Sequence, residues 1–207
     1  MIAIIDYGMG NLGSVNNVFK KNGYDAIVTR NEDEIRSASG IVLPGVGHFA
    51  MGMSKIHELG LFDLLNDVCL AQKKPTLGIC LGMQLMTTHS EEGDVDGFNW
   101  ISGSTKAIKS KLNPSTNTKI PYMGWDYFHS VTTNPFTQGI ERSKFYYVHS
   151  YHVTCEDRMH ATATCFNEFE YDVIIQRDNF YGAQFHPEKS HKHGFKLINN
   201  FMSVVND

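Results

Sequence analysis

The sequence predicts an α/β protein, a doubly wound and mostly parallel sheet with an antiparallel extension, in one domain over residues 1–207. Three observations carry that expectation. Short apolar runs alternate with helical stretches from the start of the chain to Met86. Glycines gather where those runs end and the next helix begins, as in Pro44-Gly45-Val46-Gly47 and Gly78-Ile79-Cys80-Leu81-Gly82. From Glu91 the texture becomes polar, with short alternating segments that suit antiparallel strands.

Residues 1–6 read as a strand, followed by Gly8-Met9-Gly10-Asn11-Leu12-Gly13 and a helix over 14–22. That loop has the G-x-G-x-x-G spacing of a dinucleotide site. Residues 24–29, however, lead into Asn31-Glu32-Asp33, a loop and helix start rather than the strand end that holds a ribose. The glycines therefore read as a tight βα turn. Residues 40–43 form a strand ending in Pro44-Gly45-Val46-Gly47-His48-Phe49, with helices over 51–60 and 62–72 beyond it. The strand 76–79 runs into Cys80 and a helix over 81–86. In a parallel sheet of this kind ligands bind outside the carboxyl ends of the strands, where Gly45, Gly47 and Cys80 fall.

Beyond these units, residues 93–121 are polar, with 105–109 as a hairpin or edge strand. Residues 145–153 and 161–166 are further strands, and 173–177 with 180–186 make a hairpin around Asp178-Asn179. The helix over 194–205 places Phe195, Ile198, Phe201, Met202 and Val205 on one face.

Composition removes several classes of function. A charge of −4 without any basic cluster argues against nucleic acid or an anionic membrane as partner. The first residues lack the features of a signal peptide, and no apolar run is long enough to cross a bilayer, so a cytoplasmic protein is expected. Cysteines at 69, 80, 155 and 165 have no C-x-x-C spacing, which predicts neither a zinc site nor a disulfide framework. No nucleotide, metal or flavin motif stands out, so no cofactor is expected. His191 and His193 read as solvated residues at a helix start.

The chemistry concentrates on Cys80. Gly78-x-Cys80-x-Gly82 has the spacing of a strand-to-helix nucleophile elbow with sulfur in place of oxygen. The thiol sits at a helix start, where the macrodipole favours negative charge, and the Leu81 N–H points where an oxyanion forms. A buried structural cysteine is the plain alternative. A thiol nucleophile needs a base, and the base an orienting acceptor. Gln184-Phe185-His186-Pro187-Glu188-Lys189 supplies both at a strand end, with Pro187 stiffening the link. His149 and His152 are the rival bases.

Gly-Ile-Cys-Leu-Gly-Met-Gln at 78–84, with Gln-Phe-His-Pro-Glu-Lys-Ser at 184–190, resembles the class I (triad) glutamine amidotransferases. Within them, Ile5-Asp6-Tyr7-Gly8-Met9-Gly10-Asn11-Leu12, Pro44-Gly45-Val46-Gly47, Met123-Gly124-Trp125 and Val148-His149-Ser150-Tyr151 are similar to the branch of glutaminase subunits of imidazole glycerol phosphate synthase. The resemblance covers essentially the whole chain and implies a flavodoxin-like sheet. It also implies a Cys80, His186 and Glu188 triad, with an oxyanion site at the Leu81 N–H and the Gly45–Val46 peptide. Gln84, Glu92, Ser150 and Tyr151, with Gly47 close by, match positions that hold the amino-acid end of glutamine.

Asn11, Trp125 and Lys189 match the face towards a cyclase subunit, a (β/α)8 barrel, with which the chain would form a heterodimer. Each also has an ordinary structural reading: a turn residue, a core residue and a solvated charge. Two positions depart from the pattern, since the branch has His before Met-Gly-Trp and Asn after it, where this chain has Tyr122 and Asp126. Both are expected on the partner face; an Asp126 at the interface calls for a Lys or Arg of the partner, whereas an exposed Asp126 calls for nothing. The run Lys189-Ser190-His191-Lys192-His193-Gly194 resembles a related branch that serves sugar amidation in surface-polysaccharide synthesis. Three functions therefore stand side by side. One is a glutaminase feeding ammonia to a separate synthase of histidine or sugar chemistry. The others are a stand-alone cysteine hydrolase and a non-enzymatic binding protein.

Overall fold

Ile2 and Ile4 are buried on one face of the first strand and Ala3 and Ile5 on the other. This period-2 burial on both sides is what a central parallel strand requires. The structure, a computed structural model, describes residues 1–113, 115 and 118–206; Pro114, Thr116 and Asn117 of the polar stretch, and Asp207, lie outside the described residues.

The chain begins with β1 (Ile2–Ile5), α1 (Leu12–Lys21), β2 (Ala26–Thr29), α2 (Glu32–Ser37) and β3 (Gly40–Gly45). It continues through α3 (Phe49–Glu58), α4 (Leu61–Asn66), β4 (Thr76–Cys80) and α5 (Leu81–Leu85). A π-helical turn, Asp67–Ala71, occupies the end of the helix expected over 62–72. Short strands β5 (His89–Ser90) and β6 (Val95–Asp96) precede β7 (Gly103–Ala107), β8 (Tyr122–Tyr127) and β9 (Ser130–Val131). The last part holds β10 (Lys144–His149), β11 (Tyr151–Cys155), β12 (Ala161–Asn167), β13 (Phe169–Arg177), β14 (Phe180–Ala183) and α6 (His191–Asn206).

The main sheet runs β2-β1-β3-β4-β14-β13-β11-β7-β5-β6, with β12 on β13 and β9 on β12. Strands β2 to β14 in that order pair in parallel, and β14–β13 is the first antiparallel step. The hairpin around Asp178-Asn179 thus converts the parallel half into its antiparallel extension. Helices α1 and α6 cover one face and α3, α4 and α5 the other, each over its own core cluster. No helix among the described residues is long and apolar enough to cross a membrane.

Three expectations need correction. Residues 145–153 are not one strand: β10 pairs with β8 in a separate two-stranded ribbon, whereas β11 joins the main sheet, and the chain breaks at Ser150 to pass between them. The break is fastened by the imidazole of His149, whose Nδ1–H donates to the Tyr151 carbonyl at 2.8 Å. Residues 105–109 are neither hairpin nor edge. β7 lies between β11 and β5, and Ile108–Ser110 is a 3-10 turn. Finally, β14 stops at Ala183, and His186 lies beyond it in a segment pinned by its own N–H to the Tyr146 carbonyl.

Candidate active site

At the carboxyl end of β4 the chain turns sharply into α5 at Cys80, which takes φ 53° and ψ −109°. Such a backbone is costly for a residue with a side chain and persists only when its surroundings enforce it. The enforcement comes from close approach. A Cβ on Gly82 would collide with the Leu43 carbonyl of β3, and one on Gly78 would lie 2.7 Å from the Gly82 carbonyl oxygen. With hydrogen at both positions α5 drops onto the sheet and the thiol is held at its end. Since α5 is only five residues long, its dipole is a smaller influence than the sequence suggests, and the side chains around Cys80 set its chemistry.

Behind the sulfur stands His186. Pro187–Lys189 forms a 3-10 turn that brings Glu188 back under the imidazole, so that Nδ1–H donates to Oε1 at 2.8 Å. Both side chains are nearly inaccessible to water. Burial alone would depress the imidazole, but the Cys80 sulfur and the Glu188 carboxylate outweigh it and push His186 up to about 10. Among the described residues Nε2 has no hydrogen-bond partner of good geometry, and the Cys80 sulfur is the neighbour that raises its affinity for a proton. The Ser190 hydroxyl donates to the His186 carbonyl at 2.7 Å and accepts from the Tyr146 N–H, which locks this turn onto β10.

In front of the sulfur opens a cavity of about 370 Å³, a volume suited to a small metabolite. Cys80, Leu81, Val46 and Gly47 are part of its lining, and so are Gln84, Glu92, Ser150 and Tyr151. Every residue expected to hold glutamine therefore reaches one cavity. Gly45 lies just behind the wall, paired in register with Cys80. Gln84 is fixed by donating its amide N–H to the Tyr151 carbonyl at 3.1 Å and to Gln184 Oε1 at 3.0 Å. Glu92 accepts the Phe49 N–H at 2.7 Å and so caps α3, whose own N-cap residue His48 offers no side-chain bond.

Sequence reasoning gave no role to Gln184. It is fully buried, with its amide nitrogen 3.8 Å from the Cys80 sulfur. Residues 184 and 185 form a bend beyond β14, so no strand periodicity in the sequence announces that this side chain meets the sulfur. His149 also reaches the cavity wall, but burial pushes its pKa down to about 4, and it bonds to Tyr151 rather than to a carboxylate. It is a neutral structural imidazole. His152, buried and shifted down for the same reason, pairs with main chain as well.

The expected partner face divides in two. Met123, Trp125 and Tyr127 point outward and are exposed, with Trp125 edge-on to Tyr146 at 5.8 Å and stacked on His191 at 5.5 Å. The Lys189 ammonium lies 5.5 Å above the Tyr146 ring. Asn11 is the N-cap of α1, accepting the Ser14 N–H at 3.2 Å. Tyr122 and Asp126 do not belong to this outward surface, contrary to expectation. Strand alternation turns both inward, where the Tyr122 hydroxyl donates to Asp126 Oδ2 at 3.1 Å and the Tyr127 N–H to Oδ1 at 2.8 Å. The two departures are a bonded pair, and the carboxylate needs no cation from outside.

A strand-to-helix cysteine with a buried His–carboxylate pair behind it and a small cavity in front is the arrangement that a cysteine nucleophile requires. The chain belongs to the class I glutamine amidotransferases, matching the family described as Glutamine amidotransferase class-I over residues 3–204. Among its relatives, the protein named imidazole glycerol phosphate synthase subunit HisH 2 of Methanococcus maripaludis is 50% identical over 203 residues, covering 98% of each chain. The HisH subunit of Leptospira borgpetersenii is 38% identical over 205 residues, covering 99% of this chain and all of that one. The fold matches a crystal structure of a glutamine amidotransferase with a TM-score of 0.72 at 10% identity, over the full length of both chains. It also matches the glutaminase domain of Trypanosoma brucei CTPS with bound acivicin, with a TM-score of 0.62 at 16% identity, over 99% of this chain and 93% of that one.

Proposed function

We propose that this chain is the glutaminase subunit of an imidazole glycerol phosphate synthase. It hydrolyses glutamine to glutamate and ammonia and passes the ammonia to a separate cyclase subunit in histidine biosynthesis. The observation that carries this reading is that Cys80, backed by the buried His186–Glu188 pair, opens onto one cavity of substrate size that Gln84, Glu92, Ser150 and Tyr151 also line. Full-length similarity to subunits of that name supports the choice of pathway.

Glutamine enters with its carboxamide over Cys80 and its amino-acid end against Gln84, Glu92, Gly47 and the Ser150–Tyr151 main chain. The sulfur attacks the amide carbon, and the oxyanion is met by the Leu81 N–H and the Val46 N–H of the Gly45–Val46 peptide. His186 delivers its proton to the leaving nitrogen, so ammonia departs and a thioester remains. Water then attacks the thioester with the now neutral imidazole as base, which releases glutamate and restores the thiol. Glu188 holds the imidazole in the correct tautomer throughout. Trp125, Lys189 and Asn11 form the face that docks the cyclase, a (β/α)8 barrel, in a heterodimer.

Supply of ammonia for sugar amidation is the neighbouring reading. The departures at Tyr122 and Asp126 lend it no support, since they satisfy each other inside the subunit.

The test is replacement of Cys80 by alanine in the complex with the cyclase. Cys80→Ala is expected to lower glutamine-dependent turnover by roughly four orders of magnitude or more, while added ammonium salt still sustains the cyclase reaction. Glutamine-dependent product from the alanine variant would refute the covalent role of Cys80.

A further inference from the structure

Tyr7 stands two residues beyond the end of β1 and is completely buried, and its hydroxyl has no hydrogen-bond partner among the described residues. Unpartnered buried hydroxyls are rare in native proteins, and each calls for a reason. Packing alone would be served equally well by phenylalanine. The oxygen lies hard against the main chain of Gly45, since a Cβ built on Gly45 would overlap it. Gly45 in turn is paired in register with Cys80. Burial raises the phenol far above its ordinary pKa, and the nearby Cys80 adds to the rise, so the hydroxyl keeps its proton and remains a donor.

The N–H and C=O of a trans peptide point in opposite directions. When the Gly45–Val46 peptide turns its N–H into the cavity, the Gly45 carbonyl must turn away from it, into the protein. Tyr7 does not line the cavity, and its hydroxyl lies against Gly45 on the side where a Cβ would sit. Glycine at 45 permits the turn, both because it tolerates either backbone arrangement and because no Cβ blocks the phenol. We propose that Tyr7 is a positioning residue for the oxyanion peptide, its hydroxyl donating to the Gly45 carbonyl when the Val46 N–H faces the tetrahedral intermediate. The phenol is left unpaired in the resting arrangement and paired in the catalytic one, which biases the peptide towards catalysis. The assignment rests on the glutaminase reading above.

Tyr7→Phe removes the oxygen and keeps the ring. In the full chain bound to its cyclase subunit, the variant is expected to lower kcat for glutamine hydrolysis at least about tenfold and to leave KM within about twofold. Its Tm is expected to stay level or rise, because an unpartnered hydroxyl has been removed. Alkylation of Cys80 by iodoacetamide, which passes through no oxyanion, is expected to proceed as in the wild type. A wild-type kcat, or a loss of kcat accompanied by a fall in Tm, overturns the assignment. A wild-type complex that hydrolyses no glutamine defeats the glutaminase reading instead. The Tm comparison then still decides the point, since a marked fall would mean that the hydroxyl is already bonded in the resting fold.

Discussion

Cys80 and His186 act through different parts of their surroundings. The left-handed φ of Cys80 is imposed by the contacts of Gly78 and Gly82, whereas the proton on His186 is held by charge. With its folded pKa raised to about 10 from the ordinary 6.5, the imidazole contributes stability that is complete below about pH 6.5 and fades as pH rises towards about 10. Glu188 is one of the causes of that rise. Glu188→Gln keeps an acceptor for Nδ1–H but removes the charge, so the His186 pKa must fall. The alkaline limb of the kcat/KM profile is expected to move to lower pH, with kcat reduced on the order of 10²-fold. An unmoved limb would mean that Glu188 does not hold the imidazolium. These two residues and Glu188 were legible in the sequence because their motifs are local. Gln184 was not, since nothing in the spacing of residues 80 and 184 shows that they meet at 3.8 Å.

The ribbon of β8 and β10 is the element that joins the outward aromatic surface to the cavity. Cross-strand register places Trp125 opposite Tyr146 and Tyr122 opposite His149. The Tyr146 carbonyl holds the His186 N–H, and the Tyr122 ring meets that of His149 edge-on at 5.9 Å. Its inner face is closed by the Tyr122–Asp126 bond, where burial and then the carboxylate push the phenol up to about 12. Asp126→Ala strands the Tyr122 hydroxyl and the Tyr127 N–H and is expected to cost about 1–3 kcal/mol, read as a lower denaturation midpoint. Asp126→Asn keeps an acceptor and is expected to change stability by less than about 0.5 kcal/mol. Affinity for the cyclase should be set by Trp125 instead, with Trp125→Ala weakening binding at least about tenfold. A tenfold loss of binding in Asp126→Asn would return that residue to the interface. No strand over residues 122–127 was legible in the sequence, since β8 forms only by pairing with β10, about twenty residues away, and that pairing decides which side chains face outward.

At the scale of the molecule, the sheet explains why the site lies where it does. β3, β4 and β14 run side by side in parallel, so Gly45, Cys80 and the segment leading to His186 all emerge at one edge. The antiparallel half returns Ser150 and Tyr151 to the same edge through the break between β10 and β11. The parallel half was readable from apolar runs and glycines. The extension was readable as antiparallel strands, such as 161–166 and 173–177, but their order was not, because it is fixed by long-range pairing such as β7 between β11 and β5. A catalytic edge beside an outward aromatic surface suits a subunit that hands ammonia across an interface instead of releasing it to water. The direct measurement is isotopic: the assembled synthase is supplied with glutamine labelled with ¹⁵N in the side-chain amide, together with excess unlabelled ammonium, and the product is analysed by mass. Passage from this site to the cyclase predicts product that carries the label almost undiluted; label at the level of the bulk ammonium pool would contradict it.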